Sequence, residues 1–344
     1  MLLPEKLYTK YMELYPYTRH YMEIFRNDKG TDLPDWSDWC YLPVAAYYSI
    51  VEDMAVKSGI PIETLGIDIP NLAAISIWGV SKGVYRFDET LLKSLWATPL
   101  DKTLPIDLFF QLPEWCCYID LENFKEIEEK GFFVYLENDV NTGDKELRII
   151  LALDNGGLLP IILHLRKEGI KASLKETFKY SENNFNGLFD NLKLDDDSLS
   201  GCSKRIEPFI SLILYLCTVN ADTLNPVTLE KPKRPKIIKK NNKEKIKVAK
   251  KVKEYRVGGQ IGAAIRRANK PSLNQTKRTI TPHIRRSHFH SFWTGSKDNK
   301  KLVVKWMSPI PINLNGEDII PVVRKVKSDK EKIWNRYIVS DIMK

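Results

Sequence analysis

An α+β fold is predicted: an antiparallel β-meander covered by helices, then a basic linker and a small α+β C-terminal unit holding a β-hairpin. Three observations carry this. Between Trp115 and Leu165 four segments alternate with period two, separated by turn signals at Asn141-Thr142-Gly143-Asp144 and Asp154-Asn155-Gly156-Gly157. Segments on both sides carry helical periodicity instead. At Lys231 the composition breaks into a lysine-rich stretch, and beyond it a second strand pair follows.

In chain order, residues 4–26 repeat apolar positions (Leu7, Tyr11, Leu14, Tyr15, Tyr21, Ile24, Phe25) at three- and four-residue steps, which predicts helix broken at Pro16. Residues 33–51 form an aromatic-rich turn between Pro34 and Pro43 that leads into an apolar helix. Trp36 and Trp39 are read there as core anchors rather than a ligand shelf, because large aromatics bury most of their area. Residues 86–97 predict a short amphipathic helix with Asp88 as N-cap. The meander strands are 115–119, 132–136, 147–153 and 159–165. Helices follow at 171–180 and 204–219, the second containing Ile210–Cys217 (ISLILYLC), apolar all round and therefore expected against the sheet.

From Lys231 to Lys253 there are eleven lysines and one arginine against one glutamate. Such a block predicts a solvated linker or arm, helical toward its end. It sets the expected boundaries: an acidic domain over 1–230, the linker over 231–253 and a basic domain over 254–344. Charge divides the same way, with 22 Lys and Arg against 36 Asp and Glu before residue 231 (net −14) and 31 against 8 after it (net +23). The rear half is thus expected to attract polyanions and the front half basic ligands. No apolar run reaches the length of about 18 residues that spans a bilayer. The start of the chain does not read as a signal peptide, and the odd set of five cysteines lacks zinc-ribbon spacing. A cytoplasmic protein is expected, with no membrane partner, no metal and no cofactor. Residues 254–268 predict a strand end, a glycine turn and an amphipathic helix presenting Arg266 and Arg267; the glycine spacing matches neither a P-loop nor a dinucleotide fingerprint.

Residues 278–313 hold three of the five histidines and two of the eight tryptophans. Alternation from Ser287 puts His288, His290 and Phe292 on one face and Phe289, Ser291 and Trp293 on the other. After a basic loop, Leu302, Val304 and Trp306 face one way. Three chemistries compete. His-x-His begins a metal site, but no Cys, Asp or Glu stands nearby to complete it. A His288/His290 pair with Arg285 and Arg286 suits acid/base cleavage of RNA. Binding without chemistry suits best, since cations continue from Arg278 to Lys305 and interleave with aromatic planes. The candidate nucleic-acid-binding residues are Arg266, Arg267, His283, Arg285, Arg286, His288, His290 and Lys305. Trp293 is expected in the core beneath the hairpin, and the histidine face in solvent.

Several stretches together resemble one family, the type V-A anti-CRISPR proteins of the kind that blocks biogenesis of the RNA-guided effector nuclease. They are DWCYLPVAAYYSIV, LPEWCCYIDL with GFFVYLEND after it, ISLILYLCTVNAD, RVGGQIGAAIRRA, and HIRRSHFHSFWTG with VVKWMSPIPIN, spread from residue 36 to 313. The resemblance implies a protein that recognises the nascent N-terminal peptide of a type V-A effector nuclease and causes loss of its mRNA. It implies no catalytic residue and assigns none to peptide contact. The expected partners are that nascent polypeptide and RNA, as message or ribosome. The alternatives from the residues alone are a ribonuclease using the histidine pair, or a nucleic-acid-binding protein of a mobile element.

Overall fold

The computed structural model describes residues 1–100, 104–184, 196–240, 243–268, 283–284, 287–296, 300–309, 311–312, 324–327 and 333–336. The N-terminal periodicity becomes α1 (Leu3–Leu14) and α2 (Thr18–Asn27), interrupted at Pro16, whose ring cannot continue a helix. Pro43 opens α3 (Val44–Ser58), and Gly59 closes it with the left-handed φ of 65° that a glycine adopts without strain. Next comes α4 (Asp68–Ser81), buried on every side from Asn71 to Ser81. Sequence reasoning passed over this segment, although a helix apolar all round signals burial.

The chain then enters β1 (Gly83–Phe87) and α5 (Glu89–Trp96). The Asp88 side chain accepts from the Thr90 and Leu91 amides, so it is the N-cap expected. The meander follows as β2 (Cys116–Asp120), β3 (Glu129–Asn138), β4 (Lys145–Leu153) and β5 (Leu158–His164), antiparallel throughout. After it come α6 (Ile170–Asn184) and α7 (Asp196–Cys217), then β6 (Thr223–Leu224), β7 (Ile237–Lys240), β8 (Lys243–Ile246), β9 (Lys253–Val257) and α8 (Gly259–Ala268). Short strands β10 (His283–Ile284) and β13 (Pro311–Ile312) pair around the hairpin of β11 (His288–Thr294) and β12 (Lys301–Met307).

The main sheet is mixed, in the order β5-β4-β3-β2-β1-β9-β6, with β1 parallel to both β2 and β9. Both its faces are covered, which explains why the strands are almost continuously apolar. Cys116, Tyr118, Phe133 and Tyr135 face α1–α4, while Cys117, Ile119, Phe132 and Val134 face the layer holding α5 and α7.

The lysine-rich stretch differs from expectation. Instead of an arm turning helical, it contains the β7–β8 hairpin and leads by an irregular segment, bent at Lys250 and Lys251, into β9. Its first segment is held where Arg234 donates to the carbonyls of Phe110 and Leu112, each at 3.2 Å. The hairpin is held by an Arg26–Glu244 ion pair of 2.6 Å, with both side chains nearly buried. Charge bias alone spoke for solvation; the few non-lysine residues decided where the chain lies. Since β9 belongs to the main sheet and Phe289, Val304 and Trp306 to the same core as α7, residues before 231 and after 253 share one core.

Candidate nucleic-acid interface

The hairpin is fixed through one face. Register pairs Phe289 with Trp306 and Ser291 with Val304, and Phe289, Val304 and Trp306 are buried. The Trp306 indole meets the Tyr215 ring of α7 edge-on at 5.7 Å and donates to Thr98 Oγ1 at 3.3 Å. Asn220 acts as a substitute strand partner: its amide donates to the Trp306 carbonyl (2.9 Å) and its oxygen accepts from the Trp306 N–H (3.2 Å). Ser287, also buried, donates to the Ser94 carbonyl at 3.1 Å and lies 2.8 Å from the Thr98 hydroxyl. Each of these buried polar groups therefore has a partner, as burial requires.

The opposite face is the one expected in solvent. His290 is exposed, while His288 and Phe292 are half-buried. The His290 ring lies 4.4 Å from Phe292 and 6.0 Å from His288, and Lys305 Nζ lies 5.5 Å above the Phe292 ring. The surface thus offers a cation, two imidazoles and an aromatic plane in one row. Trp293 departs from expectation: it shares the parity of Phe289, yet it is 69% exposed. It pairs with Leu302 toward the loop end of the hairpin, whereas Trp306 pairs with Phe289 at the end that meets Tyr215 of α7. Phe289, on the same face, is buried.

The other candidates divide. Arg266 Nη1 contacts both Asp88 carboxylate oxygens (2.7 and 2.9 Å) and Thr90 Oγ1 (2.8 Å), so it secures the cap of α5. Arg267 is exposed beside it at the end of α8. His283 lies in β10 opposite Ile312, and Arg285 and Arg286 lie outside the described residues. The glycine turn before α8 has a different use from phosphate binding. Asp222 already caps that end, accepting from the Gln260 amide at 2.7 Å; a Cβ at Gly258 of the turn would stand 1.9 Å from Leu91 Cδ2, and one at Gly262 within α8 1.9 Å from an Asp88 oxygen. Glycine here permits close packing of α8 on α5. Among the described residues no group of three or more His, Cys, Asp or Glu is placed to hold a metal, and no helix is long and apolar enough to cross a membrane.

One feature escaped the sequence entirely. Glu89, Thr90, Lys93, Ser94, Ile265 and Pro309 line a cleft of about 420 Å³ where α5, α8 and the end of β12 meet. Its residues come from three distant segments, so no local pattern announces it.

Comparison with known proteins bears on the whole arrangement. A family model described as AcrVA2-like, the anti-CRISPR type V subtype A2 family, matches residues 85–314. That span takes in the sheet from β1 onward, α7, α8 and the histidine hairpin. Protein FinQ of Escherichia coli is 25% identical, with 72% of this chain and 77% of FinQ covered. The crystal structure of AcrVA2 is similar in fold, with a TM-score of 0.61 at 18% identity, covering 89% of this chain and 97% of that one.

Proposed function

The chain belongs to the AcrVA2-like anti-CRISPR family, type V subtype A2, and from that premise we propose that it lowers production of a type V-A effector nuclease by binding the nascent N-terminal peptide and bringing about loss of the message. The observation that carries this reading is the family match itself, which spans residues 85–314 and so takes in most of the main sheet and the basic hairpin. The division of charge supports it. An acidic front half of net −14 suits a basic peptide, and a rear half of net +23 suits message or ribosomal RNA. On the hairpin, Lys305 and His290 would meet phosphate while Phe292 and the exposed Trp293 offer planes for bases. The protein works in the cytoplasm of a bacterial host, where translation exposes both ligands together.

The test is expression beside a type V-A effector whose N-terminal codons are intact, frameshifted or silently recoded. Message should fall for the intact and recoded genes and persist for the frameshifted one. Loss that follows the codons rather than the peptide would overturn the reading. Chelator-resistant cleavage of labelled RNA by the purified protein, abolished in His290→Ala, would point to the ribonuclease alternative instead.

A further inference from the structure

The lysine-rich stretch is not a free arm, and its side chains are sorted. We propose that residues 231–240 and 243–253 form a fixed polycationic strap that binds a single RNA strand along its phosphates, separately from the histidine hairpin. The proposal deepens the RNA contact in the function proposed above.

The sorting is visible residue by residue. Lys233, Lys236, Lys245, Lys247, Lys250 and Lys251 are all exposed, with Ile238 and Val248 beside them, whereas Arg234, Ile237, Glu244, Ile246, Ala249 and Val252 turn partly inward. The stretch holds one arginine and one glutamate, and both serve as attachments to the body. Glu244 is neutralised by Arg26, and its amide donates to Asn27 Oδ1 at 2.8 Å. Further along, the Ala249 amide donates to the Val80 carbonyl (2.8 Å) and the Lys253 amide to that of Lys82 (2.9 Å). The one acid of the strap is thus withdrawn from its outer surface. Among the described residues none of the six exposed lysines is engaged in an ion pair.

A solvated lysine tail needs no such attachment, and a surface built for solubility would mix its signs, since interspersed charges avoid a large field of one sign. At the end of β8 the outward Lys245 and Lys247 stand about 6.6 Å apart, comparable to successive phosphates on one nucleic-acid strand, and Lys250 and Lys251 follow side by side at a bend. Because the backbone is already ordered, binding fixes only lysine side chains, which lowers the entropic cost of association. Lysine supplies point charges without base contacts, so the strap grips without reading sequence.

The test uses the purified full chain and a labelled polyuridine strand, read by anisotropy over a salt series. Lys245, Lys247, Lys250 and Lys251 are replaced together by Gln, and in a second variant together by Arg. Loss of four contacts should lower the slope of log affinity against log salt by about 3, at about 0.7 per contact on a single strand, and weaken low-salt binding on the order of tenfold or more. The Arg set should keep both, as should Lys10→Gln on α1. An unchanged slope in a Gln set that melts like the parent overturns the proposal, as does failure of the parent to bind the strand. Equal competition by polyglutamate at matched charge would also overturn it, assigning the strap to an acidic polypeptide. A chain that binds RNA through the strap yet leaves effector message intact would refute the proposed function and not the strap.

Discussion

Two tryptophans in one hairpin show how a residue's role depends on where its strand meets the core. Trp306 is buried against Tyr215, so Trp306→Ala should destabilise the protein by about 3 to 5 kcal/mol, read by denaturant unfolding. Trp293 is solvent-exposed, so Trp293→Ala should change stability by no more than about 0.5 kcal/mol while weakening RNA binding. A destabilised Trp293 variant would return the expectation drawn from alternation alone. Glu114 makes a second case. It is fully buried, accepts from the Tyr85 hydroxyl at 2.9 Å, and burial pushes its pKa from 4.5 up to about 7. The folded state therefore holds a proton that the unfolded chain releases at lower pH. The resulting stability is complete below pH 4.5 and is lost as pH rises toward 7, by about 3 kcal/mol for a shift of this size. Glu114→Gln keeps an acceptor for Tyr85 without the charge. It should raise stability at pH 8 and leave it nearly unchanged at pH 4, checked by thermal melts at the two values. An equal effect at both would show that Glu114 does not titrate with folding.

At the scale of elements, the β7–β8 hairpin depends on an ion pair more than on apolar area. Ile237 and Ile246 are only partly buried against the helical layer, whereas Arg26 and Glu244 are nearly excluded from water. Removing one partner leaves a buried charge uncompensated, which typically costs about 3 kcal/mol or more. Glu244→Ala should therefore loosen the strap from α2, seen as faster amide hydrogen exchange over 237–246 while β3 and β4 stay protected. Uniform loss of protection across the sheet would mean that the strap and sheet open as one unit. The helix pair α5 and α8 has the opposite character. There Asp88 serves two elements at once, capping α5 and holding Arg266, and Gly262 supplies the space.

For the whole molecule, the lysine-rich stretch divides the chain by charge without dividing the core. Strand β9 completes the sheet beside β1, with Tyr255 stacked 5.2 Å from Tyr85, and α8 covers α5. A fragment of residues 1–230 would expose these surfaces along with the Tyr215 face that receives Trp306. It should not unfold cooperatively by itself, and adding a separate 231–344 fragment should restore a cooperative transition. A fragment that melts sharply alone would place the front half as an independent domain.

Local order was the legible part. Strand alternation, the Pro16 break, the Asp88 cap and the all-apolar ISLILYLC helix each rest on neighbours in sequence, and each is found where the pattern put it. The sequence by itself also determined the charge asymmetry and, through several scattered stretches, the family. Tertiary structure decided what depends on distant partners. It placed β9 in the main sheet, because a parallel partner in β1 lies far away in the chain. It made Arg266 part of a cap, exposed Trp293 and buried Trp306, because which end of the hairpin meets Tyr215 of α7 is not written in the hairpin. It also turned a charged tract into an ordered strap: the lysines dominate the composition, but a few inward residues find their partners on α2, α4 and the turn before β2, and those partners fix where the chain lies.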